Sequence, residues 1–107
     1  MADALSRPDR AVLEQLAEHG DVGAIPREVR IWIYGSKSDL DVIAERLASA
    51  WSDFTPTENE GEWSIMAHRV QEATEEAILA LSNEMLAALA GTSAEYDGWE
   101  TSIEQSN

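Results

Sequence analysis

The amino-acid sequence predicts an α+β fold in which two helices cover one face of a four-stranded antiparallel sheet. Two observations predict it. Residues 28–34 and 62–68 alternate apolar and polar side chains, which is typical of strands with one buried face, while three other segments carry apolar side chains at helical spacing. In chain order the predicted elements are helix, strand, helix, strand, strand, helix and strand.

The first helix is predicted to begin at Ser6, which can cap it. Pro8 is tolerated in the first turn, and Asp9 completes an S-x-x-D capping pattern. Apolar side chains recur at helical spacing as far as Ala17, and Gly20 ends the helix. This helix could lie on the second face of the sheet or at its side.

The clearest strand pattern covers residues 28–34, which are rich in β-branched and aromatic residues. Trp32 and Tyr34 alternate with the apolar side chains that face the core. We favour the interpretation in which the first helix covers these two rings and makes them part of the core. If their face is open, a protein is a better partner than RNA, because the chain has only seven cations to neutralise phosphates.

A second helix is predicted from a capping pattern that begins at Ser38, after a break at residues 35–37. From Leu40 onward, apolar side chains form one stripe at positions i, i+3, i+4, i+7 and i+8. Trp51 continues this face and is expected to anchor the end of the helix.

A β-hairpin is predicted next. Residues 53–58 form a short, weak strand pattern, and Pro56 places this strand at a sheet edge. The turn signal at residues 59–61 then leads into the alternating segment at residues 62–68.

A long helix is predicted from about Gln71 to Ala90, followed by a last strand from Ala94 to Ile103 that is interrupted at Asp97-Gly98. Glycine allows a backbone conformation that other residues resist, so a bulge is expected there. Such a bulge would let Tyr96 and Trp99 both reach apolar surroundings. Without the first helix, the order of elements is the split βαββαβ unit of ferredoxin-like domains.

Composition predicts one domain over residues 1–107, with an ordered core at about residues 6–104. Hydrophobic residues make up 44% of the chain, enough for a core, and the absence of cysteine excludes disulfides and thiolate metal sites. No apolar run approaches the roughly 20 residues that span a bilayer. The first six residues carry an acid and no basic residue, so we expect no signal peptide and a cytoplasmic protein.

The net charge is the first indication of function. The chain has 21 acidic and seven basic residues, a formal net charge of −14. Residues 1–50 carry nine acids and six bases, a difference of −3, whereas residues 51–107 carry twelve acids and one base, Arg69, a difference of −11. Such a surface attracts basic partners and repels phosphate backbones and anionic lipids, so we expect no direct binding to nucleic acid or membranes.

The sequence predicts no catalytic residues, no cofactor and no metal site. It has no glycine-rich phosphate-binding motif, its two histidines lie on separate elements, and its serines mostly lie at helix caps or turns. An enzyme that acts on a cationic small molecule in an acidic cleft is the alternative from another class. It would need a concave pocket in which two or more carboxylates converge with shifted pKa values.

Residues 95–101 read Glu-Tyr-Asp-Gly-Trp-Glu-Thr and follow a long helix. This segment resembles the family of ribonuclease E inhibitors called regulator of ribonuclease activity B, and the order of elements extends the resemblance to Glu104. The resemblance implies a ferredoxin-like sandwich with an extra N-terminal helix. It also implies a small acidic cytoplasmic protein that binds the endonuclease and dampens RNA cleavage without catalysis.

We therefore expect a non-enzymatic regulator that binds a basic protein surface, such as that of ribonuclease E. An immunity or adaptor module for another basic protein is the milder alternative. The inhibitors carry a long acidic tail after this strand, whereas residues 102–107 contain one acid, so the resemblance implies weaker binding or a different partner. The expected protein-binding residues are Tyr96, Asp97, Gly98, Trp99 and Glu100.

Overall fold

A computed structural model describes residues 3–105, which form three helices and one four-stranded antiparallel sheet. The elements are α1 (Arg7–Glu18), β1 (Arg27–Tyr34), α2 (Lys37–Leu47), β2 (Thr57–Asn59), β3 (Glu62–Gln71), α3 (Glu75–Leu89) and β4 (Glu95–Thr101). The strand order across the sheet is β2-β3-β1-β4. This is the order of a ferredoxin-like βαββαβ unit, so the predicted fold class is confirmed.

The core lies between the sheet and the layer of helices. The alternating pattern of β1 puts Val29, Ile31 and Ile33 on the helix side, where all three are fully buried. Ile65 and Ala67 pair with Ile33 and Ile31 across β1 and β3 and are buried on the same side. Each large aliphatic side chain buried in this way stabilises the fold by about 1.5–3 kcal/mol. None of the described helices is long and apolar enough to cross a membrane.

Helix α1 lies in the helix layer, not on the second face of the sheet. Its Leu16 belongs to the core, and its Asp9 accepts hydrogen bonds from Ser82 of α3 and Trp99 of β4. Trp99 pairs with Ile31 and therefore points to the helix side. The interpretation in which α1 covers Trp32 and Tyr34 is wrong, because these contacts hold α1 on the opposite side of the sheet.

Two helices begin at residues other than those predicted. The cap of α2 is Ser36, whose Oγ accepts from the Asp39 backbone N–H at 3.2 Å, and not Ser38. Helix α3 begins at Glu75, after the cap Thr74, and not at Gln71. The reason is that β3 continues to Gln71, which pairs with Arg27 of β1. A local periodicity contains no information about this pairing between distant segments.

The hairpin and the bulge are confirmed, although β2 is shorter than residues 53–58. The turn consists of Glu60 and Gly61, with φ of 53° and 84°, and positive φ at both positions is typical of the type I′ turn. In β4 the register shifts opposite Trp32 and Ile33 of β1. Gly98 has a φ of 102°, a value that glycine adopts readily and other residues resist.

A buried ion pair joins the segment before β1 to the segment after β4. The side chains of Arg27 and Asp21 are 0% and 4% exposed. The Arg27 guanidinium donates to both carboxylate oxygens of Asp21, at 3.0 and 3.4 Å, and Asp21 also accepts from the Glu104 backbone N–H at 2.7 Å. The guanidinium also donates to three backbone carbonyls, those of Val22, Ile25 and Ser102. The pair therefore binds the residues that follow β4, through Ser102 and Glu104.

Candidate functional site

The bulge in β4 turns two aromatic side chains toward the helix layer. Tyr96 pairs with Ile33 and Trp99 pairs with Ile31, although they lie three residues apart. Trp99 is 8% exposed, and its indole N–H donates to Asp9 Oδ1 at 2.9 Å. The expectation that the bulge lets both rings reach apolar surroundings is confirmed.

Asp9 has a role that the sequence did not predict. Its N–H is bound by the Ser6 hydroxyl, as the capping pattern predicts, but its carboxylate is buried and directed into the protein. Oδ1 accepts from Trp99 and Oδ2 accepts from the Ser82 hydroxyl at 2.5 Å. Asp9 thereby connects α1, α3 and β4. Its place in a capping pattern concealed this role, because a first-turn acid is normally explained by the helix dipole.

A groove lies beside these residues, between the start of α1, α3 and β4. It has a volume of about 810 Å³ and is lined mainly by apolar side chains, among them Met85 and Leu89. Tyr96 lines it, and its hydroxyl is buried without a hydrogen-bond partner among residues 3–105. Burial, followed by the charge of Asp9, raises the pKa of Tyr96 well above its ordinary value. Both oxygens of Asp9 are already bound, so this groove lacks the converging free carboxylates of an acidic catalytic cleft.

The five expected protein-binding residues separate into two groups. Trp99 is buried and Tyr96 is half-buried on the helix side, whereas Asp97 and Glu100 are exposed. Gly98 lies at the bulge, and among the described residues other than its two chain neighbours no atom lies within 4 Å of the place where a Cβ would stand. That these residues bind a partner stays a prediction. A partner could reach Asp97, Gly98 and Glu100 without unfolding the strand.

The second face of the sheet carries the side chains that alternate with the core. Residues paired side by side on neighbouring strands point to the same face. Four rows of paired residues cross β3 and β1, and three of these rows continue to β4. The rows are Ser64–Tyr34–Glu95, Met66–Trp32–Gly98, His68–Arg30–Glu100 and Val70–Glu28. We call this surface the open face. It includes Glu95, Gly98 and Glu100 of the segment at residues 95–101.

The open face has an apolar centre with exposed side chains. Trp32 and Tyr34 are half-buried, and Met66 and Val70 are 41% and 70% exposed. At the hairpin end, a groove of about 300 Å³ is lined by the two rings together with Asn59, Glu60, Glu62 and Ser64. Aromatic rings and carboxylates therefore line the same groove.

The chain is related to a known protein family. The model described as "Regulator of ribonuclease activity B" matches residues 6–101. The chain belongs to the regulator of ribonuclease activity B family. The matched range includes every element from α1 to β4 and ends with the motif that suggested the resemblance. No curated protein matches the chain.

In this member of the regulator of ribonuclease activity B family, the one cation of residues 51–107 is held internally. The Arg69 guanidinium donates to both carboxylate oxygens of Glu84, at 2.9 and 2.6 Å, and lies 4.1 Å from the centre of the Trp51 ring. Trp51 also donates to Glu84 at 2.9 Å. With Arg69 paired to Glu84, the exposed charge of residues 51–107 comes from their other acids.

Three of the six cations of residues 1–50 are also paired within the protein. Arg27 is buried, Arg46 donates to the carbonyls at the end of α3, and Arg30 on the open face donates to Glu28 at 2.9 Å. Arg30 also lies 3.9 Å from Glu100. Within residues 3–105, no group of three or more histidine and carboxylate side chains is arranged to hold a metal ion.

Proposed function

We propose that this protein is a non-enzymatic regulator that inhibits a ribonuclease, in the specific form ribonuclease E, by binding a basic surface of it in the cytoplasm. The observation that carries the proposal is the family match, since it spans all helices and strands and the family is described as a regulator of ribonuclease activity.

The charge distribution supports a basic partner. The chain carries a formal net charge of −14, and two of its seven cations, Arg27 and Arg69, are paired with carboxylates of the protein itself. A surface with a large excess of negative charge accelerates association with a positive one and repels RNA. By occupying the basic surface, the protein would compete with RNA for the nuclease and slow cleavage.

Binding is also better supported than catalysis. The groove between the start of α1, α3 and β4 is lined mainly by apolar side chains, and its buried carboxylate, Asp9, is bound by Trp99 and Ser82. A carboxylate held by two donors is poorly placed to accept a proton from a substrate. These residues stabilise the junction of α1, α3 and β4.

The test is a calorimetric titration of the protein with ribonuclease E from the same organism. We expect saturable binding at low salt that weakens as NaCl is added, because exposed charges are screened over roughly 8 Å at physiological ionic strength. RNA cleavage measured in parallel should slow as the protein saturates the nuclease. Absence of measurable binding at low salt would refute the specific form of the proposal.

A further inference from the structure

We propose that the open face binds an arginine-rich segment of the partner, with one arginine side chain in the groove between Trp32, Tyr34, Glu60 and Glu62. The inference rests on the proposed function, because it names the surface with which the regulator would engage its partner. It was suggested by three properties of this face: flat aromatic rings, surrounding carboxylates and the absence of a covering element among the described residues.

The aromatic rings fit a planar cation. Trp32 lies in the centre of the sheet, on β1, between Met66 of β3 and Gly98 of β4. Gly98 has no side chain, and apart from its two chain neighbours no residue within 3–105 has an atom within 4 Å of the position that a Cβ would take, so a partner can approach the indole from the β4 side. A guanidinium stacks on such a ring and retains its hydrogen-bond donors at its edge.

Carboxylates surround these rings. Glu28, Glu95 and Glu100 project from β1 and β4, and Glu60 and Glu62 line the groove at the hairpin end. One guanidinium, that of Arg30, offsets them, so five acids and one arginine leave a formal charge of −4. Arg30 itself is bound to Glu28, so it does not block the groove.

The same features exclude the other occupants of an exposed sheet face. A nucleic acid would bring phosphates against these carboxylates. A second copy of the chain would bring two faces of the same sign together. A basic protein segment satisfies the carboxylates and covers Met66 and Val70, which are exposed. Arginine is preferred to lysine, because its planar fork can pair with a carboxylate while it stacks.

The first experiment uses peptides as probes. An eight-residue peptide that alternates arginine and glycine is titrated into the whole protein and followed by two-dimensional NMR, and the same is done with a lysine–glycine peptide. We expect the arginine peptide to shift the Trp32 indole signal and the Tyr34 and Ser64 amides, and to bind more tightly than the lysine peptide. Absence of binding, or shifts that lie mainly outside the open face, would overturn the inference.

Matched variants separate this site from the general negative charge. The double variant Glu60→Gln/Glu62→Gln removes two exposed acids from the groove, and Glu14→Gln/Glu18→Gln removes two exposed acids from α1, in the helix layer. The groove variant should weaken peptide binding about fivefold, the combined effect of two exposed ion pairs, and the α1 variant by less than about twofold. Equal weakening by both would mean that charge alone attracts the peptide and would overturn the inference.

A third variant, Trp32→Leu, keeps an apolar side chain and removes the flat ring. It should weaken the arginine peptide about threefold and the lysine peptide less. Urea denaturation of each variant checks that the fold is retained. Equal effects on both peptides would contradict the stacking of a guanidinium on Trp32.

Titration of the same variants with ribonuclease E distinguishes this inference from the proposed function. Loss of binding in Glu60→Gln/Glu62→Gln but not in Glu14→Gln/Glu18→Gln supports both the binding site on the open face and the proposed function. Binding that neither pair of substitutions affects overturns the role of the open face and leaves the proposed function standing. If the nuclease does not bind the unchanged protein while the arginine peptide binds at Trp32, the proposed partner is wrong and the site stands.

Discussion

Asp21→Asn is expected to destabilise the protein strongly, because it removes the only carboxylate bound to the buried Arg27 guanidinium within residues 3–105. The two side chains are 4% and 0% exposed, so water cannot replace the lost charge without opening the structure. The substitution keeps the size of the side chain and replaces one of the two acceptor oxygens with an amide NH2 group, which cannot accept from Arg27. The Glu104 N–H, which donates to the same carboxylate, also loses its charged acceptor.

The expected loss of stability in Asp21→Asn follows from the burial of its ion pair with Arg27. Removing one partner of a buried, hydrogen-bonded ion pair costs about 3–5 kcal/mol, chiefly because a charge remains buried without compensation. The free energy of unfolding of a domain of this size is about 5–15 kcal/mol. At about 4–8 °C for each kcal/mol, a loss of about 3 kcal/mol lowers Tm by about 12–24 °C.

The assay is urea denaturation at neutral pH, followed by circular dichroism, with thermal unfolding as a second measurement. The matched control is Asp41→Asn, which removes the partner of Lys37 in an ion pair of 2.9 Å whose side chains are 51% and 58% exposed. This control should change the free energy of unfolding by less than about 0.5 kcal/mol. A loss in Asp21→Asn below about 1 kcal/mol, or equal to that of the control, would refute the reasoning.

Three further predictions concern residues around the sheet. Burial and the charge of Asp9 raise the pKa of Tyr96, so the unfolded chain loses this proton at lower pH than the folded chain, and stability falls as the pH rises above about 10. Tyr96→Phe should therefore lose less stability in urea titrations between about pH 9 and 11 than the unchanged protein, and identical pH dependence would contradict the assignment. Gly98→Ala should lower the free energy of unfolding by about 1–2 kcal/mol through its φ of 102° alone, since no described residue other than the two chain neighbours would contact the new Cβ. A urea midpoint equal to that of the unchanged protein would show that the bulge relaxes. Arg69→Lys loses the paired hydrogen bonds to Glu84 and the stacking on an indole, and thermal unfolding should show a loss of about 1–2 kcal/mol, whereas an unchanged Tm would mean that the ammonium replaces both contacts.

Local patterns in the sequence determined the element types and much of their boundaries. The alternation in residues 28–34 placed Val29, Ile31 and Ile33 on the buried side, because the side chains of a strand alternate whatever lies elsewhere in the chain. Asp97-Gly98 predicted the bulge for a similar reason, since glycine permits the backbone conformation that a bulge requires. The charge of residues 51–107 is likewise a property of composition.

Other features depended on contacts between distant segments, and only the tertiary structure decided them. Asp9 lies 90 residues before Trp99, and the hydrogen bond between them helps to place α1 in the helix layer, so that Trp32 and Tyr34 remain on the open face. Arg27 and Asp21 read as an ordinary base and acid in the sequence, and folding buries them as a pair. A capping pattern, or an alternation of apolar and polar residues, indicates only the role of a residue within its own helix or strand. Which face of the sheet stays uncovered depends on how the elements pack, and that packing decides where a partner can bind.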